Sequence, residues 1–177
     1  STYIGATEGT DGLLMRLDPE GQIVWKRRLF TDMFGATDVM HGIAVNSNGD
    51  LYALADLGRA GVDFFMLLQL DPTDGGVAFS KFLELSAGTT LDVVAGYAGL
   101  VVDSQDDLHI AGEFNGPSRN EILLFRCSAD GSLEQSERWS ENDAAAGRFF
   151  GGLAIDASDN LYLSTHSALE SGSALRA

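Results

Sequence analysis

The chain has 177 residues, of which 26 are acidic and 11 are basic, so its formal net charge is −15. A field of that sign repels phosphate groups, which excludes nucleic acid as an expected partner. The sequence contains no apolar run of about 18 residues, so no membrane-inserted helix is expected. Apolar residues make up 45% of the chain, enough for a packed core in one domain or part of one.

The first predicted strands occupy residues 1–41, a partial copy of a unit that recurs along the chain. They are read from "STYIGAT", "LLMRLDPEG" and "QIVWKRRLF". Each is a short apolar or alternating stretch, and the last two are separated by a polar turn that contains Asp and Gly. Such residues close tight hairpins because they tolerate positive φ and bond their own backbone.

A longer pattern begins at Gly42 with "GIAVNSNGDLYALAD". It returns at Gly99 as "GLVVDSQDDLHIAGE" and at Gly152 as "GLAIDASDNLYLSTH". Each copy has an apolar run, a polar turn of five residues, and an alternating stretch that starts with Leu and a ring residue. The pattern predicts strand, tight turn, strand.

The "LLMRLDPEG" segment also recurs, as "LLQLDPTDG" and "LLFRCSADG". Its last strand positions are Leu17, Leu70 and Cys127, and the closing "SALRA" places Ala177 in the same slot, giving spacings of 53, 57 and 50 residues. We therefore predict an all-β chain of four-stranded units, with approximate bounds 1–41 (partial), 42–98, 99–151 and 152–177 (partial). Four strands at such a period are typical of a β-propeller blade.

About three and a half blades are too few for a closed ring, since propellers have four to eight. Two explanations stay open at this point. The chain is part of a larger propeller whose remaining blades lie elsewhere, or a second copy of the chain completes the ring.

The segments "DGLLMRLDPEGQIVW" and "GIAVNSNGDLYALAD" resemble the bacterial β-propeller repeat often called the SBBP repeat, and are similar to the NHL repeat. The resemblance implies a bacterial protein in an exported setting: extracellular, on the cell surface or periplasmic. One departure concerns an aromatic residue of the fourth strand. Trp25 aligns with Phe79, but the third copy has Gln135.

In a propeller, one face carries the turns that are short in this sequence, and the other carries the long loops. Functional residues concentrate on long loops of a rigid scaffold. The candidates for ligand binding on that face are Asp38, His41, Asp56, Asp92, Glu113 and His166. Imidazole beside carboxylates suits Zn²⁺, which makes His41 and His166 candidate metal ligands. The Asp-rich turns also suggest Ca²⁺, although the EF-hand spacing is absent.

The expected function is a non-catalytic secreted or cell-surface module for binding, adhesion or assembly, with a protein or carbohydrate ligand and no cofactor. No nucleophile motif, phosphate loop or H-E-x-x-H motif occurs. The alternative is a metal-dependent propeller hydrolase or lyase with its site at the channel mouth. His109, in the ring position, and Cys127, in a leucine position, are expected to be core residues.

Overall fold

The computed structural model describes residues 12–29, 38–59, 62–83, 97–115, 120–139 and 148–167. Within these ranges all regular secondary structure is β-strand, and no helix is long and apolar enough to cross a membrane. The strands are β1 (Gly12–Leu17), β2 (Ile23–Leu29), β3 (Asp38–Val45), β4 (Leu51–Arg59), β5 (Val62–Leu70), β6 (Val77–Phe82), β7 (Ala98–Val102), β8 (Leu108–Asn115), β9 (Asn120–Cys127), β10 (Leu133–Trp139), β11 (Arg148–Ile155) and β12 (Leu161–Ser167).

The strands form four antiparallel sheets in which chain neighbours pair. Two sheets have four strands, β3-β4-β5-β6 and β7-β8-β9-β10, and two have two strands, β1-β2 and β11-β12. The predicted all-β, four-stranded unit is confirmed. The first strands of three units begin before the predicted boundary, because β3 starts at Asp38, β7 at Ala98 and β11 at Arg148.

The sheets follow one another in chain order, with their first strands side by side. β1 contacts β3, β3 contacts β7, and β7 contacts β11. Over the described ranges the four sheets do not close into a ring. The order leaves both faces of each four-stranded sheet against a neighbouring sheet.

The largest core lies between the two four-stranded sheets. It contains Tyr52, Leu54 and Phe65 from one sheet and Leu108 and Ile110 from the other, all at most 1% exposed. Because side chains alternate along a strand, Ala53 and Ala55 of β4 face the opposite way. These alanines pack with Leu14 and Trp25 of the β1-β2 sheet in a second cluster. Burying both faces explains why β4 is almost wholly apolar.

Five-residue turns join β3 to β4, β7 to β8 and β11 to β12. We call them the inner turns: residues 46–50, 103–107 and 156–160. The first residue of each turn accepts backbone N–H bonds through its own side chain, as Asp103 Oδ1 does from Gln105 and Asp107, both at 2.9 Å. The fourth residue has positive φ. It is Gly49 in the first turn, but Asp106 (φ 67°) and Asp159 (φ 63°) in the others.

The turns that join β1 to β2, β5 to β6 and β9 to β10 lie at the same end. We call them the outer turns: residues 18–22, 71–76 and 128–132. An aromatic ring from the preceding sheet packs on a glycine of the next outer turn. A Cβ on Gly75 would lie 2.8 Å from Trp25 Cε3, and a Cβ on Gly131 would lie 2.9 Å from Phe79 Cε2. Trp25 Nε1 also donates to Pro72 O at 3.0 Å.

Candidate functional site

The candidate residues lie at the end of the sheets away from the inner and outer turns. Asp38 and His41 belong to β3, Asp56 to β4, Glu113 to β8 and His166 to β12. Asp92 lies outside the described residues. Asp56, Glu113 and His166 occupy equivalent places, each five residues after the first residue of its strand.

His41 occupies a β-bulge. The register between β3 and β4 shifts between Met40 and Gly42, so His41 is the extra residue on β3. β11 has the same shift, with Gly151 in that place, whereas β7 pairs with β8 without a shift. Bulges redirect side chains and are frequent beside functional sites.

The bulge brings His41 beside Asp56. His41 Nε2 lies 3.9 Å from Asp56 Oδ2, and the two side chains are 5% and 1% exposed. The imidazole meets the ring of Phe65 edge-on, with centroids 5.7 Å apart and an interplanar angle of 81°. Phe65 in turn packs on Gly112 of the next sheet, where a Cβ would lie 2.7 Å from Phe65 Cζ.

Two buried polar atoms of this pair, His41 Nε2 and Asp56 Oδ1, have no hydrogen-bond partner among the described residues. The 3.9 Å separation is too long for a direct hydrogen bond. A hydroxyl group that reaches both side chains can donate to the carboxylate while it bonds the imidazole nitrogen. A buried polar group without a partner costs about 1–3 kcal/mol, so the pair is well suited to accept such a group.

The other buried carboxylates face different ways. Asp38 is 3% exposed, and strand alternation places it on the same face of β3 as Met40, which packs towards the β1-β2 sheet. Glu113 is 4% exposed and shares its face of β8 with Ala111, which packs towards Phe150. The structure therefore brings His41 and Asp56 together but leaves Asp38 and Glu113 on other faces.

Tyr97 adds an exposed ring to this end of the molecule. Tyr97 is 74% exposed, and its backbone carbonyl oxygen accepts a hydrogen bond from the N–H of Glu113 at 3.3 Å. Tyr97 is not among the candidate residues predicted from the sequence. Its position in the sequence could have indicated it, because Tyr97 directly precedes β7, and β7 lies beside β3, the strand that carries His41.

No group of three or more His, Cys, Asp or Glu side chains that could hold a metal ion occurs in the described ranges. His166 is exposed on β12. In the Asp-rich turns proposed for Ca²⁺, carboxylate oxygens accept bonds from within the turn. Asp156 Oδ1, for example, accepts the N–H groups of Ser158 and Asn160 at 2.8 and 3.0 Å.

Of the two residues expected in the core, Cys127 lies in it, whereas His109 is only partly buried. Cys127 is fully buried. The side chain of His109 is 16% exposed, and its Nε2 lies 2.9 Å from Asp103 Oδ2, so it has a partner in its own inner turn.

No protein-family model matches the chain, and no curated protein matches its sequence. Among solved structures, a protein of unknown function from Bacteroides caccae aligns with 93% of this chain and 71% of its own chain. The two are 12% identical, and the TM-score is 0.37.

Proposed function

We propose that the chain is a non-catalytic, exported β-propeller module that binds a carbohydrate at the end of its sheets opposite the inner and outer turns. The propeller arrangement is supported by meandering four-stranded sheets whose first strands lie side by side. The exported setting, outside the cell, on its surface or in the periplasm, follows from the resemblance to SBBP repeats. The single observation that carries the binding site is the buried, facing pair of His41 and Asp56.

The chemistry of the pair favours a hydroxylated ligand. Its free atoms are an imidazole nitrogen and a carboxylate oxygen, and a hydroxyl group complements both because it is donor and acceptor at once. The exposed ring of Tyr97, at the same end, offers an apolar face to the carbon-bound hydrogens of a sugar. Carbohydrate is therefore the better match of the two ligand classes expected from the sequence.

The test is a glycan array probed with the 177-residue chain and two variants, Tyr97→Ala and Asp56→Asn. Both variants are expected to weaken binding of any captured glycan by at least about tenfold, which is about 1.4 kcal/mol. Tyr162→Ala is the matched control, since it removes another exposed tyrosine, on β12, that is 57% exposed. It is expected to bind like the unaltered chain.

Circular dichroism and thermal melting establish that each variant is folded. The proposal fails if no glycan is captured, or if folded Tyr97→Ala and Asp56→Asn bind as well as Tyr162→Ala does.

The alternative, a metal-dependent hydrolase or lyase, is not favoured by any observation on the described residues. They bring together one imidazole and one carboxylate, whereas a catalytic zinc site has three protein ligands. If the purified chain retains stoichiometric Zn²⁺ and His41→Ala does not, that result would favour the metal-dependent enzyme.

A further inference from the structure

The first inner turn contains an exposed asparagine that is followed by glycine, Asn48–Gly49. An asparagine in this setting can react with its own backbone, because the amide nitrogen of the next residue can attack the side-chain carbonyl carbon. A Cβ on the next residue hinders that attack, and glycine has none. The equivalent pairs in the other inner turns are Gln105–Asp106 and Ser158–Asp159, so neither offers this combination.

The structure leaves room for the reaction at Gly49. A Cβ built on Gly49 would meet no atom of the described residues within 4 Å, and both residues of the pair are exposed. The five-membered ring that the attack forms therefore meets no packed neighbour on that side of the turn.

The side chain of Asn48 is held less firmly than the other asparagine side chains of the inner turns. Its Nδ2 donates a long hydrogen bond, 3.4 Å, to Asp106 Oδ2. Asn46 is 7% exposed, and its side chain makes bonds of 2.8, 3.0 and 3.1 Å within the turn. Asn160 Nδ2 lies 3.0 and 3.2 Å from the two carboxylate oxygens of Asp156. The longest bond restrains least, so Asn48 most readily turns towards the attacking nitrogen.

We propose that Asn48 is a site of spontaneous deamidation. A bond forms between Gly49 N and Asn48 Cγ, and the bond from Cγ to Nδ2 breaks. The Gly49 amide proton passes to solvent, and the leaving nitrogen takes up a proton and departs as ammonia. Water then opens the succinimide ring. The product is aspartate at position 48 if the bond from Gly49 N to Cγ breaks, and isoaspartate if the bond to the backbone carbonyl carbon breaks.

The product brings a second carboxylate to Asp106. Asp106 accepts the backbone N–H and the hydroxyl of Ser47 at 2.8 and 2.7 Å, and the amide of Asn48 donates to the same carboxylate. These bonds join the inner turns of the two four-stranded sheets. An ionised carboxylate only accepts hydrogen bonds, so replacing the amide turns an attractive contact into repulsion between like charges. Deamidation therefore loosens the joint between the two sheets, whether or not the chain binds carbohydrate.

One bond slows the reaction in the folded chain. Gly49 N–H donates to Asn46 O at 3.1 Å, and this bond must open before the nitrogen can attack. We expect deamidation of Asn48 to be slower in the folded chain than in urea, but faster than deamidation of Asn46 or Asn160.

Peptide mapping by mass spectrometry of the 177-residue chain, incubated at mildly alkaline pH, tests the site. By the time that half of Asn48 has converted in a sample unfolded in urea, the folded sample is expected to contain acid at position 48 and intact amides at Asn46 and Asn160. Asn48→Gln is the control, since glutamine would have to form a larger ring that closes more slowly. The second Asn-Gly pair of the sequence, Asn115–Gly116, is followed separately in its own peptide.

Denaturation in urea tests the consequence. Asn48→Asp is expected to unfold at a lower urea concentration than Asn48→Gln. In an Asp106→Asn background the difference is expected to shrink, because the opposing charge is gone. The proposal is wrong if the folded chain gains no more acid at position 48 than at Asn46 and Asn160. It is also wrong if Asn48→Asp and Asn48→Gln unfold at the same urea concentration, or if Asp106→Asn leaves their difference unchanged.

Discussion

Ser104 donates two hydrogen bonds to the carboxylate of Asp159 in the next sheet, from its hydroxyl at 2.6 Å and from its backbone N–H at 2.9 Å. Ser47 makes the same two bonds to Asp106, at 2.7 and 2.8 Å. Each bond pair joins the inner turns of successive sheets. Both aspartates have positive φ, which is costly for a residue other than glycine, and the two bonds compensate for that cost.

Ser104→Ala removes the hydroxyl bond and keeps the backbone bond. We expect the free energy of unfolding to fall by about 0.5–1.5 kcal/mol, measured by urea denaturation. Ser158→Ala is the control, because the third inner turn has Ala157 in the place of Ser104 and Ser158 lies elsewhere in the turn. A loss in Ser158→Ala as large as that in Ser104→Ala would contradict the proposed role of the bond.

Two glycines separate the backbone effect of a substitution from its packing effect. Gly21 and Gly75 have similar positive φ, 81° and 74°, but a Cβ on Gly21 would meet nothing within 4 Å, whereas one on Gly75 would overlap Trp25. Gly21→Ala should cost about 1–2 kcal/mol from backbone strain alone. Gly75→Ala should cost about 1–3 kcal/mol more, and equal losses in urea denaturation would show that the ring contact is unimportant.

The carboxyl of Asp130 should contribute to acid sensitivity. Hydrogen bonds from the hydroxyl of Ser128 and from the backbone and hydroxyl of Ser132 lower the pKa of Asp130 from 3.8 to about 2. Because the folded pKa is the lower one, the stabilisation is complete above about pH 4 and is lost as the pH falls through about 2.

Carbon NMR titration of the Asp130 carboxyl measures this directly. In Ser128→Ala the midpoint should move upwards, towards that of a free aspartate. An unchanged midpoint would contradict the assignment of the shift to the Ser128 hydroxyl.

Burial raises the pKa of the Cys127 thiol to about 11. A thiol with that pKa and no exposed surface reacts slowly, since the thiolate is the reactive form. We expect a thiol reagent at pH 8 to leave the folded chain unmodified and to modify it fully in urea. Rapid modification of the folded chain would contradict burial and would reopen a role for Cys127 as a nucleophile.

The described strands, their order in the sheets and the positions of the tight turns were predictable, because the repeat places apolar runs and Asp or Gly turns at matching positions. The burial of Cys127 was also predictable from the repeat, because leucines occupy the same position in the other copies. When one copy of the repeat is aligned on another, residues in equivalent environments can be recognised even though the distances between sheets are unknown.

The pairing of His41 with Asp56 was not predictable. It depends on a bulge before Gly42, and the same glycine in the β7 copy, Gly99, has no bulge. The serine-to-aspartate bonds were missed for another reason. The signal was present in the turns "NSNGD" and "DSQDD", but it becomes visible only when the donor of one copy is compared with the acceptor of the next.

The serine-to-aspartate bonds all run the same way along the chain, from a serine in one sheet to an aspartate in the next. The second position of an inner turn donates to the next turn, and the fourth position accepts from the preceding one. Gly49, at the fourth position of the first inner turn, has no carboxylate to accept a bond. Ala157, at the second position of the third, has no hydroxyl to donate one. The unit from 99 to 151 alone carries both Ser104 and Asp106. A tandem duplication of that unit would join to itself by the bonds it already uses, which makes it the natural module for lengthening the array by design.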